Sequence, residues 1–246
     1  MKRIFYLMAL MALVFFAACK KSSDTLNPPK ISDYFPLQVG KYITYKLDSA
    51  LFINFGTKDT VVSYEVKQVV DALITDGLGR PAYRIIRYIR KNSLQPWVPD
   101  NTFMAVATDN TLEFVENNMR FVKLKEVIRE GFSWKGNTFI DTYSINSNVK
   151  YLDDWDYTYD SLNLPARLSP TVNIDSTIKI GQRDETIGNP NDINSYSERN
   201  IGAEKYAKGI GLIYRTFYHR EYQPPTPGSG GYKQGYGITL TMIDHN

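Results

Sequence analysis

Strict alternation of apolar and polar residues runs through most of this chain and restricts it to antiparallel sheet. In residues 41–49, Ile43, Tyr45 and Leu47 fall on one face, and Tyr42, Thr44 and Lys46 on the other. In residues 60–70, Val62, Tyr64, Val66 and Gln68 oppose Val61, Ser63, Glu65 and Lys67. In residues 82–91, Tyr83, Ile85, Arg87 and Ile89 oppose Arg84, Ile86, Tyr88 and Arg90. Side chains of a strand point alternately to opposite faces, so this period is that of a strand and not of a helix. One apolar and one polar face per strand is the pattern of antiparallel sheets with one wet side.

The same pattern continues in shorter pieces. Residues 102–107, 112–115, 120–127, 154–159, 172–180, 196–200, 212–222 and 237–243 read as strands, and 131–139 as a turn entering another. Asp76-Gly77-Leu78-Gly79, Asp109-Asn110 and Glu116-Asn117-Asn118 are turn signals between them. Residues 119–130 and 203–208 also admit helical spacing, though neither has a strong cap. Residues 183–194, around Pro190, and 223–235, with Pro224, Pro225 and Pro227, read as loops. Short strands at regular spacing predict one mainly β domain over residues 34–246: a single antiparallel, strongly curved sheet or a barrel-like sandwich with little helix. The 18 Tyr, 12 Phe and 3 Trp fit a pleated, half-buried surface. Trp97, Trp134 and Trp155 read as core or strand-end residues, with a sugar-stacking platform as the alternative.

The N-terminus has a different grammar. Lys2 and Arg3 precede an almost wholly apolar run from Ile4 to Phe16, followed by Ala17, Ala18 and Cys19. A charged start, a short apolar stretch and small residues at the cut make a secretory signal over residues 1–18. Lys20 and Lys21 end the run before the ~20 apolar residues that a spanning helix needs. Phe16-Ala17-Ala18-Cys19 resembles a lipobox, with Phe16 where Leu is usual. By that resemblance Cys19 is the first residue of the mature protein and carries a diacylglycerol thioether and an N-acyl chain such as palmitate. Cys19 is the single cysteine, so no internal disulfide can form. Each buried CH₂ contributes about 0.8 kcal/mol, so two or three acyl chains hold a protein on a membrane. Residues 19–33, with Pro28-Pro29, read as the lipidated cysteine and a flexible tether.

Residues 1–18 contain Lys2 and Arg3 and no acid. Of 29 basic and 26 acidic side chains, the remainder keeps 27 basic and 26 acidic, a formal balance of +1. A nucleic-acid binder would show a gathered basic excess, so none is expected.

Two further segments are distinctive: Tyr34-Phe35-Pro36-Leu37-Gln38-Val39-Gly40-Lys41-Tyr42, and Tyr206-Ala207-Lys208-Gly209-Ile210-Gly211. With the lipobox, they resemble uncharacterised outer-membrane or periplasmic lipoproteins of Bacteroidota. The resemblance covers about a fifth of the chain and transfers no catalytic residue. It implies a lipid-anchored protein of the outer membrane. Lys20, Lys21, Ser22 and Ser23 precede the only nearby acid, Asp24, which departs from the surface-export pattern of that group and points to the periplasmic leaflet. Gly40, Gly209 and Gly211 read as turn glycines.

Catalytic signals are sparse. The two histidines, His219 and His245, stand without a nucleophile elbow or zinc-ligand spacing. Asp153-Asp154-Trp155-Asp156, with Asp160 nearby, is the best local acidic cluster. Asp154, Asp156 and Asp160 share a strand face and make a weak metal candidate suited to calcium. Asp154 and Asp156 also make a weak carboxylate pair for glycoside hydrolysis. A solvated strand edge is the plainer reading. No cofactor, metal or catalytic residue is assigned. The expected function is a non-enzymatic, lipid-anchored envelope lipoprotein binding an apolar ligand, a glycan or an envelope protein partner. The alternatives are an assembly lipoprotein acting by protein contact and a glycan-active enzyme.

Overall fold

The structure is a computed structural model and describes residues 28–246. The signal segment, Cys19 and the first part of the tether lie outside the described residues.

A four-residue helix, α1 (Ile31–Tyr34), leads into twelve strands: β1 (Tyr42–Ile53), β2 (Lys58–Thr75), β3 (Pro81–Arg90), β4 (Val98–Ala107), β5 (Thr111–Glu116), β6 (Met119–Lys125), β7 (Ser133–Lys135), β8 (Asp156–Arg167), β9 (Asn173–Gly188), β10 (Ser197–Ala207), β11 (Gly211–Gln223) and β12 (Tyr232–His245). Consecutive strands pair antiparallel, except that β6 and β7 share no ladder, and β1 pairs with β12. The sheet is therefore an up-and-down meander whose two chain ends are joined, with its one break in mid-chain. This is the curved, barrel-like antiparallel sheet that the alternation predicts.

The break is narrow. The Val122 N–H donates to the Gly136 carbonyl at 2.8 Å, and the Trp134 indole donates to the Val122 carbonyl at 2.8 Å. The Tyr159 hydroxyl donates to the Lys125 carbonyl at 2.8 Å and accepts from the Lys125 N–H at 3.1 Å. Side chains thus satisfy backbone groups that a ladder would otherwise pair. Trp134 and Tyr159 also pack together, with ring centroids 4.7 Å apart.

Local sequence explains the turns. Asn117 and Asn118 both have positive φ, 50° and 62°, the backbone of a two-residue hairpin. Asp76 closes the β2–β3 turn by accepting the Leu78 and Arg80 N–H groups, both at 2.9 Å. Gly40, Gly209 and Gly211 take φ of 92°, 77° and 117°, as expected of turn glycines.

Some expected boundaries differ. Residues 119–130 hold β6 and a following turn, and 203–208 lie almost wholly within β10, so neither is helical. Ladder bonds and a buried face outweigh their weak helical spacing. Strand β9 extends to Gly188, through half of the segment expected to be a loop, because the polar residues 183–188 pair with β10. The connection before β12 is shorter than expected, residues 224–231.

Ion pairs such as Lys46–Asp48 at 2.8 Å and Arg90–Glu65 at 2.5 Å stud the outer face. The apolar face turns inward, opposite to the arrangement of a barrel that faces lipid. One end of the barrel is closed by the chain itself. Tyr34 is buried at 1% exposure, and Phe35 packs edge-on to Phe114 and Tyr206 at 6.3 and 6.2 Å. The Gly209 N–H, in the β10–β11 turn, donates to the Asp33 carbonyl at 2.6 Å. Residues 31–38 are thus a plug at the end where the described chain enters.

Trp134→Ala is expected to lower unfolding free energy by about 3–5 kcal/mol, the usual cost of truncating a buried large aromatic. Trp134→Phe keeps most packing and loses the indole bond, about 1 kcal/mol. Urea titrations of the three proteins test the ranking.

Candidate functional site

The barrel interior is crossed by a layer of charge. Glu116, the last residue of β5, receives two bonds from Arg215 of β11, both 2.7 Å. Lys123 of β6 donates to Glu204 of β10 at 2.7 Å. Glu204 lies opposite Arg215 in the β10–β11 ladder, with Arg215 Nε 3.5 Å from its Oε1. The Tyr206 hydroxyl also donates to Glu204, at 2.7 Å. Glu204 is 0% and Lys123 4% exposed. Four charges from facing walls thus balance in pairs, as buried charges must.

Burial works against ionisation of Glu116, but Arg215 and Lys123 outweigh it and bring its carboxyl down to about 2. Glu204 is likewise held below the ordinary range, because Lys123 and Arg215 overcome its burial. Burial pushes the Tyr157 and Tyr206 hydroxyls well up, so both stay neutral donors.

Above this layer, away from the plug, lies a cavity of about 240 Å³. Trp155, Phe217 and Tyr236 form a row in its wall, with successive ring centroids 5.5 and 5.1 Å apart. Tyr151, on a 3₁₀ turn at Lys150–Leu152, lies over His219 with centroids 3.8 Å apart. Polar lining comes from Gln68, Asn101 and Gln182, and charge from Arg87, Lys123, Arg215 and Glu116.

Two β-bulges lie at residues that line this space. Between β5 and β6 the register slips, so Lys123 is an extra residue between Val122 and Leu124. Between β9 and β10, Gly202 lies opposite Arg183 and Ala203 opposite Gly181, leaving Gln182 unpaired. Lys123 continues the inward row of Met119 and Phe121, and Gln182 that of Ile178 and Ile180; each bulge disrupts the ladder locally and leaves that residue unpaired. Gly202 leaves room for this group: a Cβ there would stand 2.5 Å from the Trp155 ring and 2.9 Å from Gln182 Oε1.

The residues singled out in the sequence lie elsewhere or play other parts. Asp156, Thr158 and Asp160 share the outer face of β8. Asp154 precedes the strand at φ 55°, so it does not reach that face by alternation as expected, because the left-handed turn interrupts the strand. These residues border an open outer groove, where Asp160 pairs with Lys179 at 2.8 Å. Among the described residues, no group of three or more His, Cys, Asp or Glu is placed to hold a metal. His219 is buried and its Nδ1 lies 2.8 Å from Asn200 Oδ1, while His245 is exposed at the end of β12. Burial lowers the His219 pKa against the pull of Glu198 and Glu221, which keeps the ring neutral at pH 7. The three tryptophans form no platform: Trp134 seals the break, Trp155 lines the cavity, and Trp97 lies beneath the Arg90 guanidinium at 4.2 Å.

Glu116, Lys123, Glu204 and Arg215 were not among the sequence candidates. Their signal is a charge on the apolar face of a strand: Glu116 follows Leu112 and Phe114, Glu204 precedes Tyr206, and Arg215 sits between Ile213 and Phe217.

No family model matches the chain, and no curated protein matches it. Among solved structures, that of a candidate exported protein with a YMCC-like fold from Bacteroides fragilis NCTC 9343 is 10% identical, with a TM-score of 0.41, covering 86% of this chain and 99% of that chain. Likeness at that level lends no weight to a function for this chain.

Glu116→Gln is expected to cost about 3–5 kcal/mol, because it leaves Arg215 buried without its counter-charge. The Glu116 pKa of about 2 lies below its ordinary 4.5, so its contribution is complete above pH 4.5 and vanishes as pH falls through 2. The wild type should lose about 3 kcal/mol over that window through this residue, and the variant should lack that slope. Urea unfolding from pH 5 to 2 reads both effects.

Proposed function

We propose that this is a non-enzymatic, lipid-anchored protein of the cell envelope that binds a small ligand inside its barrel. The observation that supports it best is the interior cavity of about 240 Å³, lined jointly by aromatic rings and buried polar groups. A concave, mostly apolar space with a few converging polar groups is the usual form of a ligand site. The anchor rests on Cys19 and its flanking residues, the outer membrane on the Bacteroidota-type segments, and the periplasmic leaflet on Lys20, Lys21, Ser22 and Ser23 standing ahead of Asp24. The geometry agrees with a tether. The described chain enters at the plugged end, and the cavity lies toward the opposite end, so an anchored barrel would turn its mouth away from the bilayer.

A second reading, assembly by protein contact, draws on the mouth-end loops. Phe55, Leu94, Ile145 and Ile193 stand on four of them, at 99%, 94%, 87% and 67% exposure. Contiguous apolar patches mark interaction surfaces, and these tips share one end of the barrel. The glycan-active reading has less support: it needs carboxylates beside an exposed aromatic, and Asp154 and Asp156 lie outside the barrel while Trp155 turns inward.

Native mass spectrometry of the full chain, released gently from bacterial membranes, tests the leading reading. A reproducible added mass that is lost on denaturation is expected. A bare mass in every preparation counts against a filled cavity and favours the loop-tip reading.

A further inference from the structure

We infer that the cavity takes a neutral, ring-shaped ligand with oxygen acceptors, the chemical class of a monosaccharide; this rests on the ligand-binding reading above. The first argument is charge. Each cation in the lining already has its own carboxylate: Arg215 has Glu116, Lys123 has Glu204, and Arg87 donates from Nε to Asp100 at 2.6 Å. An anionic ligand at Arg215 or Lys123 would have to break a pair and leave a buried carboxylate alone, which is strongly unfavourable, and at Arg87 it would compete with the carboxylate already bound there. A cationic ligand would meet three positive groups and one negative.

The second argument is what the walls leave unsatisfied. Gln182 Nε2 is buried and has no hydrogen-bond partner among the described residues, whereas Arg215 Nε faces Glu204 Oε1 at 3.5 Å. Gln182 lines the cavity and is 4% exposed. Its amide nitrogen is a donor, so the missing partner is an acceptor oxygen. Buried donors without partners are rare enough in folded proteins to point to an absent group. Gln182 follows Ile178 and Ile180 on the buried face of β9, and the bulge leaves it without a partner residue in β10, so a polar amide stands where the pattern calls for an apolar side chain.

The third argument is shape. Trp155, Phe217 and Tyr236 give an apolar wall of rings tilted 30° and 33° to one another, and Tyr236 is 38% exposed. A sugar ring offers one face of C–H groups and an edge of oxygens, matching this wall and the Gln182 amide beside Trp155. A fatty chain would press hydrocarbon against Gln68, Asn101, Gln182 and the charge layer, desolvating them without replacement bonds. At about 240 Å³ the space falls below the ~300–1,000 Å³ of sites for drug-sized ligands, which suits a single ring.

Saturation-transfer NMR on the full chain, kept in a sugar-free detergent, tests this with D-glucose, D-galactose and N-acetyl-D-glucosamine. D-glucuronate, glucose 6-phosphate and the apolar dye 1-anilinonaphthalene-8-sulfonate serve as contrasts. The expected result is saturation of the ring protons of at least one neutral sugar, with weaker signals from all three contrasts. Gln182→Leu removes the unpartnered donor at similar volume, so it should weaken that sugar about tenfold without lowering the melting temperature of the ligand-free protein. Unchanged affinity in that variant, or no neutral sugar bound, overturns the inference. Tighter binding of a charged or apolar probe overturns the ligand class and leaves the cavity a binding site. A bare native mass together with no probe bound removes both readings.

Discussion

Two ion pairs across the barrel interior hold opposite walls at a fixed distance. Glu116 and Lys123 come from adjoining strands of the first half, and Arg215 and Glu204 from adjoining strands of the second. A sheet of twelve strands closed around an empty centre would leave a wide gap or collapse. The layer fixes the spacing because each charge needs its counterpart at hydrogen-bond distance. It also divides the interior. Below it, Tyr34 and Phe35 fill the end with apolar rings. Above it, the walls stay apart enough to leave a cavity. An apolar core of the same volume could hold the walls together as firmly, but it would not supply hydrogen-bonding groups to the floor of that cavity.

The cavity is lined by one kind of order carrying two kinds of side chain. The aromatic row arises from simple alternation, since Phe217 and Tyr236 lie on inward-facing positions of neighbouring strands. The polar groups keep the same alternation: Arg215 stands between Ile213 and Phe217, Lys123 follows Met119 and Phe121, and Gln182 follows Ile178 and Ile180. The bulges at Lys123 and Gln182 leave these two without a partner residue in the adjoining strand.

This contrast explains what could be read from the sequence. Strand positions and faces were legible because burial imposes period two. Ile85 and Arg87 were placed on one face, and both point inward, Ile85 buried and Arg87 lining the cavity. The pairing of the charges was not legible. Lys123 and Glu204 are 81 residues apart, and Glu116 and Arg215 are 99 apart, so no local spacing links them. Charged residues near strand ends read as solvent-facing, since most are. The bulges were hidden for the same reason, because an extra residue shows only once its partner strand is known. Asp154, Trp155 and Asp156 drew attention as a cluster, yet the informative member was the tryptophan, which turns into the cavity while its acidic neighbours face out.

The pairing of the first strand with the last governs the order in which such a barrel can form. Strand β1 has β2 on one side, but its other edge waits for β12. A chain that appears N-terminus first therefore cannot close its barrel until β12 is present. The first six strands can form a meander, but their inner face stays open and the free edge of β1 stays unpaired until the second half arrives. Such edges invite pairing with other chains, and long-range closure is slow. Completion is a single event, when β12 zips against β1 and the charges of the two halves meet.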